Sequence, residues 1–150
     1  MAVPPGRATA RERPPVPVGG GKVRGMDPVE LVERFNAAIN GRDLVGLCSL
    51  MSENHTFLDI EGGTARGKPA CAEAWRGFFL AFADYRNVFS DLTVRGDVVT
   101  VSGYSVCSQP ELAGPALWTA RVTGTLVTEW RVYTDTPRTR HTLGPPPRAP

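Results

Sequence analysis

Long apolar runs are absent from this chain of 150 residues. Nothing in it approaches the roughly 18–20 apolar residues that a membrane-spanning helix requires. Its first residues also lack the apolar stretch of a secretory signal, so a cytoplasmic protein without a membrane partner is expected. Cysteine is scarce: Cys48, Cys71 and Cys107 are an odd number with no C-x-x-C spacing and no histidine cluster near them. That disfavours a disulfide framework and a zinc site, and three reduced, buried thiols are the simpler reading. No metal and no organic cofactor is implied.

A strong charge of one sign is lacking too, although the net value of +2 hides a division. Residues 1–25 hold five Lys/Arg against one Glu, and residues 136–150 hold three Arg and no acid. The stretch between them has nine basic and fourteen acidic side chains. The basic character therefore belongs to the ends, and an acidic middle argues against nucleic acid as the main partner. Residues 1–25 also carry five Pro and five Gly with few large apolar side chains, a composition expected to be disordered. Val18-Gly19-Gly20-Gly21-Lys22 lacks the glycine spacing and following Ser/Thr of a phosphate loop. Met26 stands directly before the first ordered signal, and a translation start there is one reading of the chain.

Residues 26–135 hold the patterning of one domain, with a flexible tail expected over 136–150. Asp27, Pro28 and Glu30 form a helix start, and Leu31, Val32, Phe35, Ala38 and Ile39 share one face up to a stop at Asn40-Gly41. Asp43 opens a shorter helix through Leu44, Leu47, Cys48 and Met51, and Ser52-Glu53-Asn54 is the expected turn into a strand. Along that strand His55, Phe57 and Asp59 point one way and Thr56, Leu58 and Ile60 the other. After the Gly62-Gly63 turn and Gly67, a third helix follows Lys68-Pro69 with Cys71, Trp75, Phe78, Phe79 and Phe82 on its apolar face. Strands are expected over 88–95, 98–108, 116–122 and 126–135, with turns at Gly96-Asp97 and Thr123-Gly124. Helices followed by hairpin-linked strands make an α+β order, with a curved, mainly antiparallel sheet wrapped over about three N-terminal helices. The open mouth of such a cone is a natural small-molecule pocket.

The run Leu31 to Asn40, then Asp43, Phe57-Leu58-Asp59 and Gly67, resembles the opening of the nuclear-transport-factor-2-like superfamily. Trp118 to Val122 and Val127 to Tyr133 resemble its last hairpin. Within it, the SnoaL-like polyketide cyclases and the ketosteroid isomerases are the nearest branches. The resemblance implies a cone-shaped α+β barrel, usually a homodimer. In the isomerase branch it implies an Asp at the end of the first strand that moves a proton beside a carbonyl; Asp59 matches that position. A Tyr on the first helix and an acid on a later strand hold the oxyanion there; here these positions are Phe35 and, by an ungapped count from Gly124, Leu117. In the cyclase branch the main acid also falls on that later strand.

Asp59 has two readings that the sequence leaves open. It is a general base if an apolar pocket surrounds it, or the acceptor for backbone N–H groups of the Glu61-Gly62-Gly63 turn. His55 is a candidate proton relay or a rim residue. Phe35, Phe57, Trp75, Tyr104, Trp118, Trp130 and Tyr133 are candidate pocket aromatics, although period two alone does not say which sheet face each strand residue occupies. Arg121, Glu129 and Arg131 make either a polar group in the pocket or an exposed cross-strand set. Function is then expected to be the binding of a small, mostly apolar molecule, with isomerase, cyclase or hydrolase chemistry on Asp59. The alternative is a non-catalytic binding or dimerisation module of the same fold.

Overall fold

Helix α1 (Pro28–Asn40) starts where capping chemistry puts it. The Asp27 carboxylate accepts the Val29 N–H at 2.8 Å, and Pro28 occupies the first turn, where its missing N–H has no intrahelical partner to lose. Leu31, Val32, Phe35 and Ile39 on its apolar face are fully buried. The computed structural model describes residues 27–144. The readings made for residues 1–25, for Val18 to Lys22, for a start at Met26 and for the last residues of the C-terminal tail lie outside the described residues.

Asp43 caps helix α2 (Leu44–Ser49) by accepting the Gly46 N–H. The helix is shorter than its periodicity predicts, because Met51 already opens strand β1 (Met51–Leu58). The expected Ser52–Asn54 turn is thus part of the strand, and a register shift between Met51 and Thr56 absorbs its irregularity. After β2 (Thr64–Arg66) comes α3 (Lys68–Ala81), followed by β3 (Arg86–Arg95) and β4 (Val98–Val106). A single 3-10 turn (Pro110–Leu112) then leads to β5 (Gly114–Thr123) and β6 (Leu126–Thr134). Gly96 and Gly124 supply the positive φ values, 62° and 61°, of the two hairpin turns.

The six strands form one sheet in the order β2-β1-β6-β5-β4-β3. All neighbours are antiparallel except β1 and β6, which run parallel and join the start of the sheet to its end. The α+β expectation holds, but the cone is not a closed barrel. β2 and β3 remain as edges, while α1 packs on β3 and α3 on β1. A bulge between Phe89 and Asp91 bends β3 against β4. Gly103 opposes it so closely that a Cβ there would meet the Val88 carbonyl.

The sheet's inner face contributes Val99, Val101, Trp118, Ala120 and Trp130 to the core. Leu117 is buried but stands outside that cluster, on the opposite face from Trp118. The fold does not stop at residue 135 as its composition suggests. Helix α4 (Pro137–Leu143) follows, capped by the Thr136 hydroxyl and joined to the strand end by a two-pronged Arg140–Asp135 ion pair at 2.8 and 3.1 Å. Arg95 on β3 donates to the carbonyls of Leu143 and Gly144, which ties the end of α4 to the far edge of the sheet.

Candidate functional site

A cavity of about 360 Å³ lies between α3 and the inner faces of β4, β5 and β6. That size suits a compact organic ligand. Its mouth is bordered by the exposed residues Asp59, Ile60, Glu111 and Pro115. Its inner end is built from the buried Trp75, Tyr85, Ser105, Ala116, Trp118 and Trp130. The three tryptophans of the chain all line it. Aromatic neighbours hold them: Trp75 is 5.3 Å from Phe57, Trp118 is 5.2 Å from Phe89, and Trp130 is 4.6 Å from Phe35, each between ring centroids. Their indole N–H groups are buried without a hydrogen-bond partner among the described residues.

Phe57, Trp75, Trp118 and Trp130 are thus brought together as the sequence suggests, with Asp59 at the rim. Phe35 and His55 are not in the lining. Both are fully buried behind Trp130, because they face the centre of the core under α1. The His55 ring has its Nδ1 2.6 Å from the Val127 carbonyl. Since a carbonyl only accepts, Nδ1 carries the proton and donates, and Nε2 is left buried without a partner. Burial pushes the His55 pKa below its ordinary value, so this imidazole is neutral structure rather than a rim residue or relay. Tyr104 lies on the outer sheet face, 45 % exposed, with Ser102 and Val106 two residues either side of it. Leu117 also misses the cavity; Ala116 and Trp118 are the β5 positions that face it.

Asp59 follows the end of β1 and is exposed. Its Oδ1 accepts the N–H of Glu61 at 2.9 Å and of Gly63 at 2.7 Å, which is the turn chemistry foreseen as one of its two readings. Oδ2 lies over Gly63, where a Cβ would be 2.5 Å from it, so this glycine makes room for the carboxylate. Ile60, Val132, Thr134 and Asp59 border both the cavity and a more open groove beside it that includes Arg131 and Tyr133. Arg121, Glu129 and Arg131 do not enter the cavity: Arg121 pairs with Asp97 at 3.0 Å, and Arg131 stacks over the Tyr133 ring.

Sequence reasoning missed the polar end. Tyr85, in the joint between α3 and β3, puts its hydroxyl 3.1 Å from Ser105 Oγ on β4, and Ser105 Oγ donates to Asn87 Oδ1 at 2.9 Å. Asn40 fixes Asn87 through both backbone groups, accepting its N–H and donating to its carbonyl, each at 2.9 Å. Asn40 therefore does more than end a helix. Arg42 donates to the carbonyls of Phe82 and Ala83, which holds the joint that carries Tyr85. Burial raises the Tyr85 pKa, so the phenol is protonated at neutral pH. Among the described residues no group of three His, Cys, Asp or Glu could hold a metal ion, and no helix is long and apolar enough to cross a membrane.

The family of SnoaL-like domains matches residues 32–143, from the first turns of α1 through α4. The chain belongs to this family. Solved structures similar to this SnoaL-like domain include an NTF2-like protein of unknown function from Cytophaga hutchinsonii. It shares 16% identity over 83% of this chain and 100% of its own, with a TM-score of 0.62. A protein with a ketosteroid isomerase-like fold from Catenulispora acidiphila, in complex with trimethylamine, shares 20% over 78% and 94%, TM-score 0.64. TerC, co-crystallised with polyporic acid, shares 17% over 79% and 98%, TM-score 0.60. At such identities these likenesses establish the fold, which hosts many chemistries. A search of curated proteins finds no significant match.

Proposed function

We propose that this SnoaL-like domain binds a compact, mostly apolar, ring-bearing molecule in the cavity under α3, and that Asp59 Oδ2 serves as proton acceptor for chemistry at the mouth. The observation that carries the binding half is the aromatic wall, with Trp75, Trp118 and Trp130 around about 360 Å³. Such a surface favours flat rings by area and by ring–ring geometry. The crystallisation of the similar TerC with polyporic acid is consistent with a ring-bearing ligand in this fold. Asp59 stands at the rim of the cavity, where an isomerase, cyclase or hydrolase step would need a base, and both backbone N–H bonds go to its Oδ1 and not to Oδ2.

The same bonds favour a second reading, a binding module without chemistry, in which Asp59 does no more than fix its turn. One experiment separates the two. Asn in place of Asp59 keeps an oxygen for both N–H groups but removes the base. Intrinsic tryptophan fluorescence should respond to cyclic ketones and alcohols in the wild type and in Asp59→Asn alike. Turnover of carbonyl or epoxide substrates in the wild type that falls by about 10²-fold or more in the variant supports the base. Binding without turnover in either leaves the module, and no fluorescence response to any compound removes the binding function itself. We also propose a homodimer formed through the outer face near Tyr104 and Val106, both nearly half exposed. Sedimentation velocity should give twice the chain mass, shifted to the monomer by Tyr104→Glu; a wild-type monomer at all concentrations rejects it.

A further inference from the structure

The Tyr85–Ser105–Asn87 chain has a direction, and the direction selects a ligand. Ser105 has one hydroxyl proton, and Asn87 Oδ1, which can only accept, takes it at 2.9 Å. Ser105 Oγ therefore has only lone pairs left for Tyr85, and the 3.1 Å contact must be Tyr85 O–H donating to Ser105. That spends the single proton of the phenol inside the wall. Its oxygen keeps acceptor capacity alone at the inner end of the cavity, where Tyr85 and Ser105 both belong to the lining. Asn40 grips the Asn87 backbone from α1, and the Asn87 amide is turned with Oδ1 toward Ser105, its Nδ2 buried without a partner among the described residues. Neither Asp59 nor Glu111 competes for the phenol: both lie at the exposed mouth, and the other buried lining residues are Ala116 and Trp75, Trp118 and Trp130, whose indole N–H groups can only donate and have no partner among the described residues.

We infer that the cavity selects ring compounds bearing a hydroxyl or N–H donor, with Tyr85 Oη as the acceptor that receives it and Ser105 as the positioning residue that turns the phenol proton away. The inference rests on the binding function proposed above and names its ligand class. It differs from the expectation of an oxyanion site, in which the protein group at the end of the pocket donates to the ligand.

Isothermal titration calorimetry with 2-naphthol and 2-methoxynaphthalene tests it. These probes share a ring system, and only the first can donate. Wild-type protein should bind 2-naphthol about fivefold more tightly, the size expected of one neutral hydrogen bond. In Tyr85→Phe, which keeps the ring and loses the acceptor, the ratio should fall to about one with the ether's affinity unchanged. In Ser105→Ala the phenol proton loses its acceptor and is free to turn inward, so the ether gains a donor and binds more tightly, and the ratio should fall toward one. That gain in the ether's affinity is a signature that a merely structural Ser105 would not produce. Two results overturn the assignment: a wild-type preference for the ether, meaning that the chain runs the other way, or a naphthol preference that survives Tyr85→Phe. If both probes bind equally the ligand class fails while the binding function stands; if neither binds, both fail.

Discussion

At the scale of single residues, His55 shows how burial overrides sequence expectation. A lone histidine on a strand near a carboxylate invites a functional reading, but here the ring is enclosed by Phe35 and the Val127 carbonyl. The consequence is pH-dependent stability. The unfolded chain takes up a proton near the ordinary value of 6.5, whereas folded His55 resists it. Below that pH the unfolded state therefore binds more protons and stability falls, with a slope of at most about 1.4 kcal/mol per pH unit from this residue. Above it both states hold a neutral ring and the contribution is flat. Urea midpoints measured between about pH 5 and 7.5 should show this decline in the wild type and a weaker one in His55→Gln; equal slopes would remove the effect. Asp59 was legible as a turn acceptor from the glycines after it. Tyr85 was not, because its partner Ser105 is an ordinary polar residue on a strand until the hairpin of β3 and β4 brings the two hydroxyls together.

At the scale of elements, legibility followed the strength of local signals. α1 carries a cap, a proline and an apolar stripe, and its bounds were read almost to the residue. α3 carries five large or apolar side chains at helical spacing and was equally plain. β2 has three residues and exists only because β1 lies beside it. α4, Pro-Arg-Thr-Arg-His-Thr-Leu, has one apolar residue and no periodicity, and it looks like a tail. What holds it is tertiary: the Arg95 bonds to its last carbonyls and the Asp135–Arg140 pair, whose carboxylate is 2 % exposed. Arg140→Ala removes two charge-assisted hydrogen bonds to a buried carboxylate, so it should cost about 2 kcal/mol in chemical denaturation. Loss of less than about 0.5 kcal/mol would put the pair among surface interactions of little weight.

For the whole molecule, the cavity and stability are in opposition. About 360 Å³ of space under α3 is core that was left unfilled, and unfilled core forfeits packing energy. Ala116 lies in its buried wall, on the β5 position next to Leu117. Ala116→Leu should raise the thermal midpoint by a few degrees, on the order of 1 kcal/mol, and weaken ligand binding at least tenfold. A variant that is less stable and binds normally would mean that the space is not a ligand site. The cone shape and the apolar character of the pocket could be read from the order of elements. Its polar end could not, since it depends on the pairing of β3 with β4 that sets Asn87 opposite Ser105. The parallel pairing of β1 with β6 has a further effect on the way the protein is made. While the ribosome is still producing residues up to 126, β1 has no neighbour on that side, and contacts so distant along the chain form slowly. A nascent chain halted before β6 would therefore present an incomplete sheet with an unprotected β1, a target for chaperones until β6 emerges.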